Sequence, residues 1–118
     1  MFELFITVKM SVEGCVNDVV QMLRFFAEIR NYSYIDRIAN SLRPEIAEIA
    51  LLEAMRHLRS LYDSAYKKEN LNCVKINDEE KILPKIPSKD CMERIIQMMW
   101  ESESARRRIA ILALSYGR

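Results

Sequence analysis

Apolar residues recur at helical spacing through most of the chain. Val16, Val19, Val20, Leu23, Phe26 and Ala27 share one face of a helix predicted over Cys15–Arg30. Asn31-Tyr32-Ser33 interrupts it. Ser33 with Asp36 then reads as a capping box for a short second helix over Tyr34–Asn40. Leu42-Arg43-Pro44 closes that helix, because a residue before proline resists helical dihedrals. Pro44 suits the first turn of a third helix running to Lys68. Its apolar positions, among them Ala47, Leu51, Ala54, Met55 and Leu58, cover more than one stripe, so this helix is expected at the centre of the fold. Its acids Glu45, Glu48 and Glu53 come early and its bases Arg56, Arg59, Lys67 and Lys68 late, an order that complements the helix dipole.

The pattern then changes to period two. Cys73-Val74-Lys75-Ile76 and Lys81-Ile82-Leu83, around the polar turn Asn77-Asp78-Glu79-Glu80, predict a small β-hairpin within 71–86. Pro84 and Pro87 end it and mark an edge strand. Ser88 is a good N-cap for a fourth helix carrying Met92, Ile95, Ile96 and Met99 on one face. Glu101-Ser102-Glu103-Ser104 weakens that helix, and Ala105, Ile109, Leu112, Ala113 and Tyr116 mark a fifth helix or its continuation. At the other end, Met1–Val8 alternates weakly, so residues 1–10 read as a short strand or an extension. The expectation is one mainly α domain over 1–118, with four to five helices and a small hairpin insertion.

Composition narrows the class. The 118 residues are half hydrophobic and 30% charged, enough for one core and too polar for a membrane span. The N-terminal apolar run is too short to cross a bilayer and lacks signal-peptide features. Eighteen basic and seventeen acidic residues leave the net charge near zero, so any electrostatic footprint must come from local segregation. Three cysteines, odd in number and outside any CxxC pattern, argue against a disulfide scaffold or zinc ribbon and for a reducing cytoplasm.

Catalytic motifs are nearly absent. His57 is the only histidine, which removes HExxH and multi-histidine metal sites, and it reads as a surface or hydrogen-bonded helix residue. The two glycines cannot form a phosphate-cradling loop. Glu45 and Glu48 are best read as helix-dipole partners. We therefore expect no enzyme, no cofactor and no metal.

Basic and aromatic groups concentrate over Phe25–Arg43. Tyr32 and Tyr34 lie among Arg24, Arg30, Arg37 and Arg43, opposed by Glu28 and Asp36. Each tyrosine has two readings, stacking on an unpaired base or wedging the first two helices together. Arg106, Arg107 and Arg108 add a second basic run. Consecutive helical residues spread around the axis, so a solvated face is the plainer reading, although arginine suits phosphate. These nine residues are the candidate contacts with nucleic acid or a partner.

Phe26-Ala27, then Asn31-Tyr32-Ser33-Tyr34-Ile35-Asp36-Arg37, resembles the corresponding region of the small subunits of archaeal type I-A CRISPR effector (Cascade) complexes. The following helix, with Glu45, Ala47, Glu48 and Leu52-Glu53-Ala54, fits as well. The resemblance is best over Val16–Tyr66; the hairpin and last helices agree in general layout. It implies a non-catalytic component of an RNA-guided surveillance complex that helps bind target nucleic acid and hold the R-loop. The partners would be other Cascade proteins, guide RNA and target DNA, with self-association a further option. Two other readings stay open. One is a helix-turn-helix DNA-binding regulator built on Tyr34–Asn40 and the Pro44 helix, weakened by Glu45 and Glu48 at the groove-entering end. The other is a helical adaptor using the methionine-rich last helices.

Overall fold

The computed structural model of the chain describes residues 2–67 and 72–115, with side chains described over 13–66 and 72–115. Met1, Lys68, Leu71 and Tyr116, which the predicted elements include, lie outside the described residues. The first helix, α1, runs over Phe2–Glu28 and absorbs the segment expected as a strand or extension. The only strands among the described residues pair with each other in the hairpin. A strand at 1–10 would leave its backbone groups unpaired, whereas lengthening the helix satisfies them internally. Gly14 does not break α1, since glycine costs a helix interior only about 0.5–1 kcal/mol relative to alanine.

α1 stops two residues earlier than expected, for a reason in its backbone. Arg30 sits at φ 65°. Its N–H donates to the Ala27 carbonyl at 3.1 Å, and the Asn31 N–H reaches the Phe26 carbonyl at 2.8 Å. This is the Schellman arrangement, and its left-handed position normally falls to glycine. Arg30→Gly is expected to raise unfolding free energy by about 0.5–1 kcal/mol, the roughly 1–2 kcal/mol strain of a side chain in that region offset in part by glycine's greater unfolded-chain freedom. Urea denaturation checks this; a loss of stability would reveal a supporting contact by the Arg30 side chain.

α2 is short, Ser33–Asn40, and buries Ile35 and Ile38. The capping box does not form. Tyr32 occupies the N-cap position with no side-chain cap bond. Ser33 is thereby one residue inside the helix, and its hydroxyl donates to Asn31 Oδ1 at 2.7 Å instead. Three residues lead to α3, Pro44–Lys67. As its broad apolar arc predicted, α3 packs against α1, α2, the hairpin and the fourth helix. It buries Ala47, Ala50, Leu51, Ala54, Met55 and Leu58.

Strands β1 (Cys73–Ile76) and β2 (Glu79–Ile82) pair antiparallel, with Cys73 opposite Ile82 and Ile76 opposite Glu79. The turn is tighter than the sequence pattern suggests. Asn77 and Asp78 alone form it, at φ 52° and 65°, which matches the right-handed strand twist. Glu79 and Glu80 consequently belong to β2. The Tyr62 hydroxyl donates to the Leu83 carbonyl at 3.2 Å and to the Pro84 carbonyl, tying the hairpin's exit to α3.

α4 covers Lys89–Glu101, capped by Ser88, whose Oγ accepts from the Cys91 N–H at 3.1 Å. Ser102 then serves two helices. Its N–H closes α4 on the Met98 carbonyl, and its Oγ accepts from the Ala105 N–H at 3.2 Å to start α5, Glu103–Leu114. Met22, Leu23, Phe26, Ile38, Leu58, Ile95, Met99 and Ile109 meet, fully buried, between the five helices. No helix among the described residues is long and apolar enough to cross a membrane.

Candidate functional site

The aromatic part of the Phe25–Arg43 segment divides at Ser33. Tyr32, at the start of α2, is 46% exposed. Tyr34, two residues on, turns inward. Its ring meets Phe26 edge-on at 5.1 Å, and its hydroxyl lies 3.2 Å from His57 Nδ1 on α3. His57 in turn stacks on Phe26 at 5.2 Å between ring centroids. Three helices are joined at this cluster, and His57 is a half-buried, hydrogen-bonded helix residue. Arg37 rides over the outer side of the Tyr34 ring, 5.7 Å from its centroid, and pairs with Glu53.

The turn between α2 and α3 brings Arg37 and Arg43 to one shallow depression, with Asp36, Asn40, Ser41, Leu42 and Ile46. Leu42 is 83% exposed there. Ser41 Oγ lies 2.6 Å from the Arg43 carbonyl and 3.2 Å from the Arg43 N–H, which fixes the turn. The Arg43 side chain reaches Glu45 at 3.3 Å and remains exposed. Arg30 is exposed at the end of α1.

The second basic run lies elsewhere, on α5. Arg107 and Arg108 are exposed, and Arg107 pairs with Glu103 at 2.8 Å. Arg108 lines an open cleft between α1, α4 and α5, with Glu13, Val16, Met98 and Leu112. The reading of all three as a solvated face needs correction at Arg106, which is only 4% exposed. One guanidinium nitrogen of Arg106 donates to the Met99 carbonyl at 2.7 Å, while its Nε has no hydrogen-bond partner. Arg106 lies three, four and seven residues before Ile109, Ala110 and Ala113, so helical spacing already put it on the buried face. Arg24 is half-buried and donates to the Leu112 carbonyl at 3.2 Å, linking α1 to α5. The nine candidate residues thus separate into a junction, two exposed groups and two internal ties.

One basic feature was missed from the sequence. Arg56, Arg59 and Lys89 border a groove of about 300 Å³ between α3 and α4, floored by Leu52, Met55, Met92 and Ile96. Beyond the groove's other end, Trp100 Nε1 donates to Glu48 Oε2 at 2.8 Å. Arg56 and Arg59 read from sequence as helix-dipole partners, and nothing local shows that α4 lies beside them. The usable signal was the four-residue step Glu48, Leu52, Arg56 on α3, matched on α4 by Trp100, Ile96, Met92.

Reactive chemistry is sparse. Among the described residues no group of three or more His, Cys, Asp or Glu side chains could hold a metal ion. Burial and the neighbouring Cys15 thiol push the Cys91 thiol up to about 12, so it stays protonated at neutral pH and is a poor nucleophile. Burial likewise raises the Tyr62 phenol, already committed to the hairpin. What these surfaces offer is exposed guanidinium groups, one exposed tyrosine and an apolar groove.

A family model described as CRISPR-associated protein (Cas_Csa5) matches residues 22–116. No curated protein and no solved structure matches the chain.

Proposed function

The chain belongs to the Cas_Csa5 family of CRISPR-associated proteins, and from that membership we propose that it is the non-catalytic small subunit of a type I-A RNA-guided surveillance complex. In this role it binds neighbouring subunits and the nucleic-acid backbone and helps hold the R-loop. Base pairing between guide and target reads the sequence, while the protein supplies charge and shape. The extent of the family match carries the reading: it takes in the α1–α2 junction, all of α2 to α5 and every candidate contact residue. The exposed groups support it. Arg30, Arg43, Arg107 and Arg108 present guanidinium forks suited to phosphate, and Tyr32 presents a ring suited to an unpaired base. Arg24 and Arg106 belong to the fold's internal bonding and are left out of the proposed interface.

Affinity purification of the tagged protein from its native host, with protein and RNA identification, tests this role. Other Cascade proteins and guide RNA are expected in the eluate, and recovery as a lone species without RNA would overturn it. A second measurement isolates the nucleic-acid part. Weak single-strand binding is expected to fall steeply with salt. The double variant R43E/R108E should bind at least about tenfold more weakly, with its log–log salt slope flatter by roughly 0.7 for each lost phosphate contact. An unchanged slope would remove these two arginines from the interface.

A further inference from the structure

The groove between α3 and α4 has a polarity along its length that none of the surfaces assigned above shares. The two helices run antiparallel there: Arg59 shares an end with Lys89, Leu52 shares the floor with Ile96, and Glu48 bonds Trp100. From Arg59 to Leu52 the groove follows α3 for about 10 Å, and Glu48 stands one helical turn beyond it. At one end stand Arg56, Arg59 and Lys89, and the N-terminus of α4 adds its partial positive charge. Three acids stand near that end: Glu93 lines the groove, Asp90 lies in the first turn of α4, and Asp63 is one turn beyond Arg59 on α3. Among the described residues Arg56, Arg59 and Lys89 enter no ion pair, whereas Arg37, Arg43 and Arg107 do. The middle is aliphatic and thioether, with Met55 and Met92 buried beneath Leu52 and Ile96. One turn beyond the far end Trp100 is 45% exposed and held by Glu48.

We infer that this groove docks an amphipathic helical segment of a partner protein, acidic at one end, whose apolar residues cover Leu52, Ile96 and Trp100 while its acids meet Arg56, Arg59 and Lys89. Charge complementarity selects that occupant. A nucleic-acid strand needs cations spaced along its path, and here they gather at one end of an apolar floor that neutral side chains fit better than phosphates. Methionine floors adapt to varied apolar partners, and helix-in-groove docking uses anchors at this spacing. The inference names a partner surface for the proposed subunit role, yet it stands on different residues from the proposed nucleic-acid contacts.

Trp100 is the chain's single tryptophan and stands one turn beyond the groove, so its fluorescence reports on a ligand that runs the groove's length and reaches it. The probe is a synthetic helical peptide of about 14 residues, long enough to span the groove, with leucines at helical spacing and three glutamates in its first turn. It is titrated into the full chain beside a copy carrying lysines for the glutamates and an oligodeoxynucleotide of similar length. The acidic peptide is expected to shift the Trp100 emission and to bind at least about tenfold more tightly than the lysine copy. R59E should invert that preference, while R43E, outside the groove, should leave it unchanged. Equal binding of the two peptides would overturn the inference. So would a Trp100 response to the oligonucleotide alone, or one that follows protein concentration without any peptide, which would assign the groove to nucleic acid or to a second copy. Failure of the single-strand experiment with R43E/R108E leaves these outcomes untouched, so the two readings fall separately.

Discussion

Phe26→Ala is expected to lower the free energy of unfolding by about 3–5 kcal/mol, the range for truncating a fully buried aromatic side chain. Phe26 has no exposed surface and touches every part of the junction. It meets Phe25 edge-on at 5.7 Å, Tyr34 edge-on at 5.1 Å and the His57 ring face at 5.2 Å. Its carbonyl also accepts the Asn31 N–H that closes α1. Removing the ring therefore opens a cavity where α1, α2 and α3 meet, and collapse is hindered because each helix is held elsewhere. A domain of this size has roughly 5–15 kcal/mol in total, so the variant should be close to unfolding at moderate temperature. Tyr34→Phe is the informative companion: it keeps the ring and loses only the hydroxyl–His57 bond, at about 0.5–1.5 kcal/mol. Urea denaturation of both variants decides the matter, and a loss below about 2 kcal/mol for Phe26→Ala would mean that the junction can repack around the gap.

The other large effect belongs to Arg106. Arg106→Glu should cost upwards of about 3–5 kcal/mol, because it sets an unpaired carboxylate against the carbonyl-rich end of α4 in a buried position. Arg106→Met keeps most of the buried stem and removes both the charge and the partnerless Nε. It loses the bond to Met99, so about 1–3 kcal/mol is expected for it. The pair also separates folding from binding. Arg106→Met should leave single-strand affinity unaltered once folded protein is compared, while R43E/R108E lowers it. A binding loss in folded Arg106→Met would return Arg106 to the interface. Equal destabilisation by Glu and Met would mean that lost packing, rather than the sign of the charge, sets the cost.

The helical periods, the hairpin and the Ser88 cap were legible because each depends on neighbours within a few residues. Residues that Phe2–Met10 shares with a short strand were ambiguous for the converse reason: weak alternation means little without a partner strand, and the helix competes for the same backbone. The Ser33–Asp36 box failed on a single-residue displacement of the α2 start, which puts Tyr32 rather than Ser33 at the cap. Tyr34 and Tyr32 were inseparable in sequence, since their fates depend on where Phe26 and His57 lie. Arg106 was separable, for its spacing to Ile109 and Ala113 is helical, but three adjacent arginines draw attention to their shared charge rather than to their different faces. The basic groove stayed hidden because its two walls are parts of the chain with a hairpin between them.

α2 carries one more consequence. Eight residues are too few for a helix to persist alone in water, and this one persists because α3 and α5 hold it on both sides. Its inward positions, Ile35 and Ile38, are committed to that grip, and Tyr34 and Arg37 to the junction. Tyr32, Ser33, Asp36 and Asn40 are exposed, and Arg37 is partly so. Over evolutionary time, divergence within α2 that leaves the fold seated has chiefly those exposed positions to work with, a narrow alphabet for altering what the helix presents.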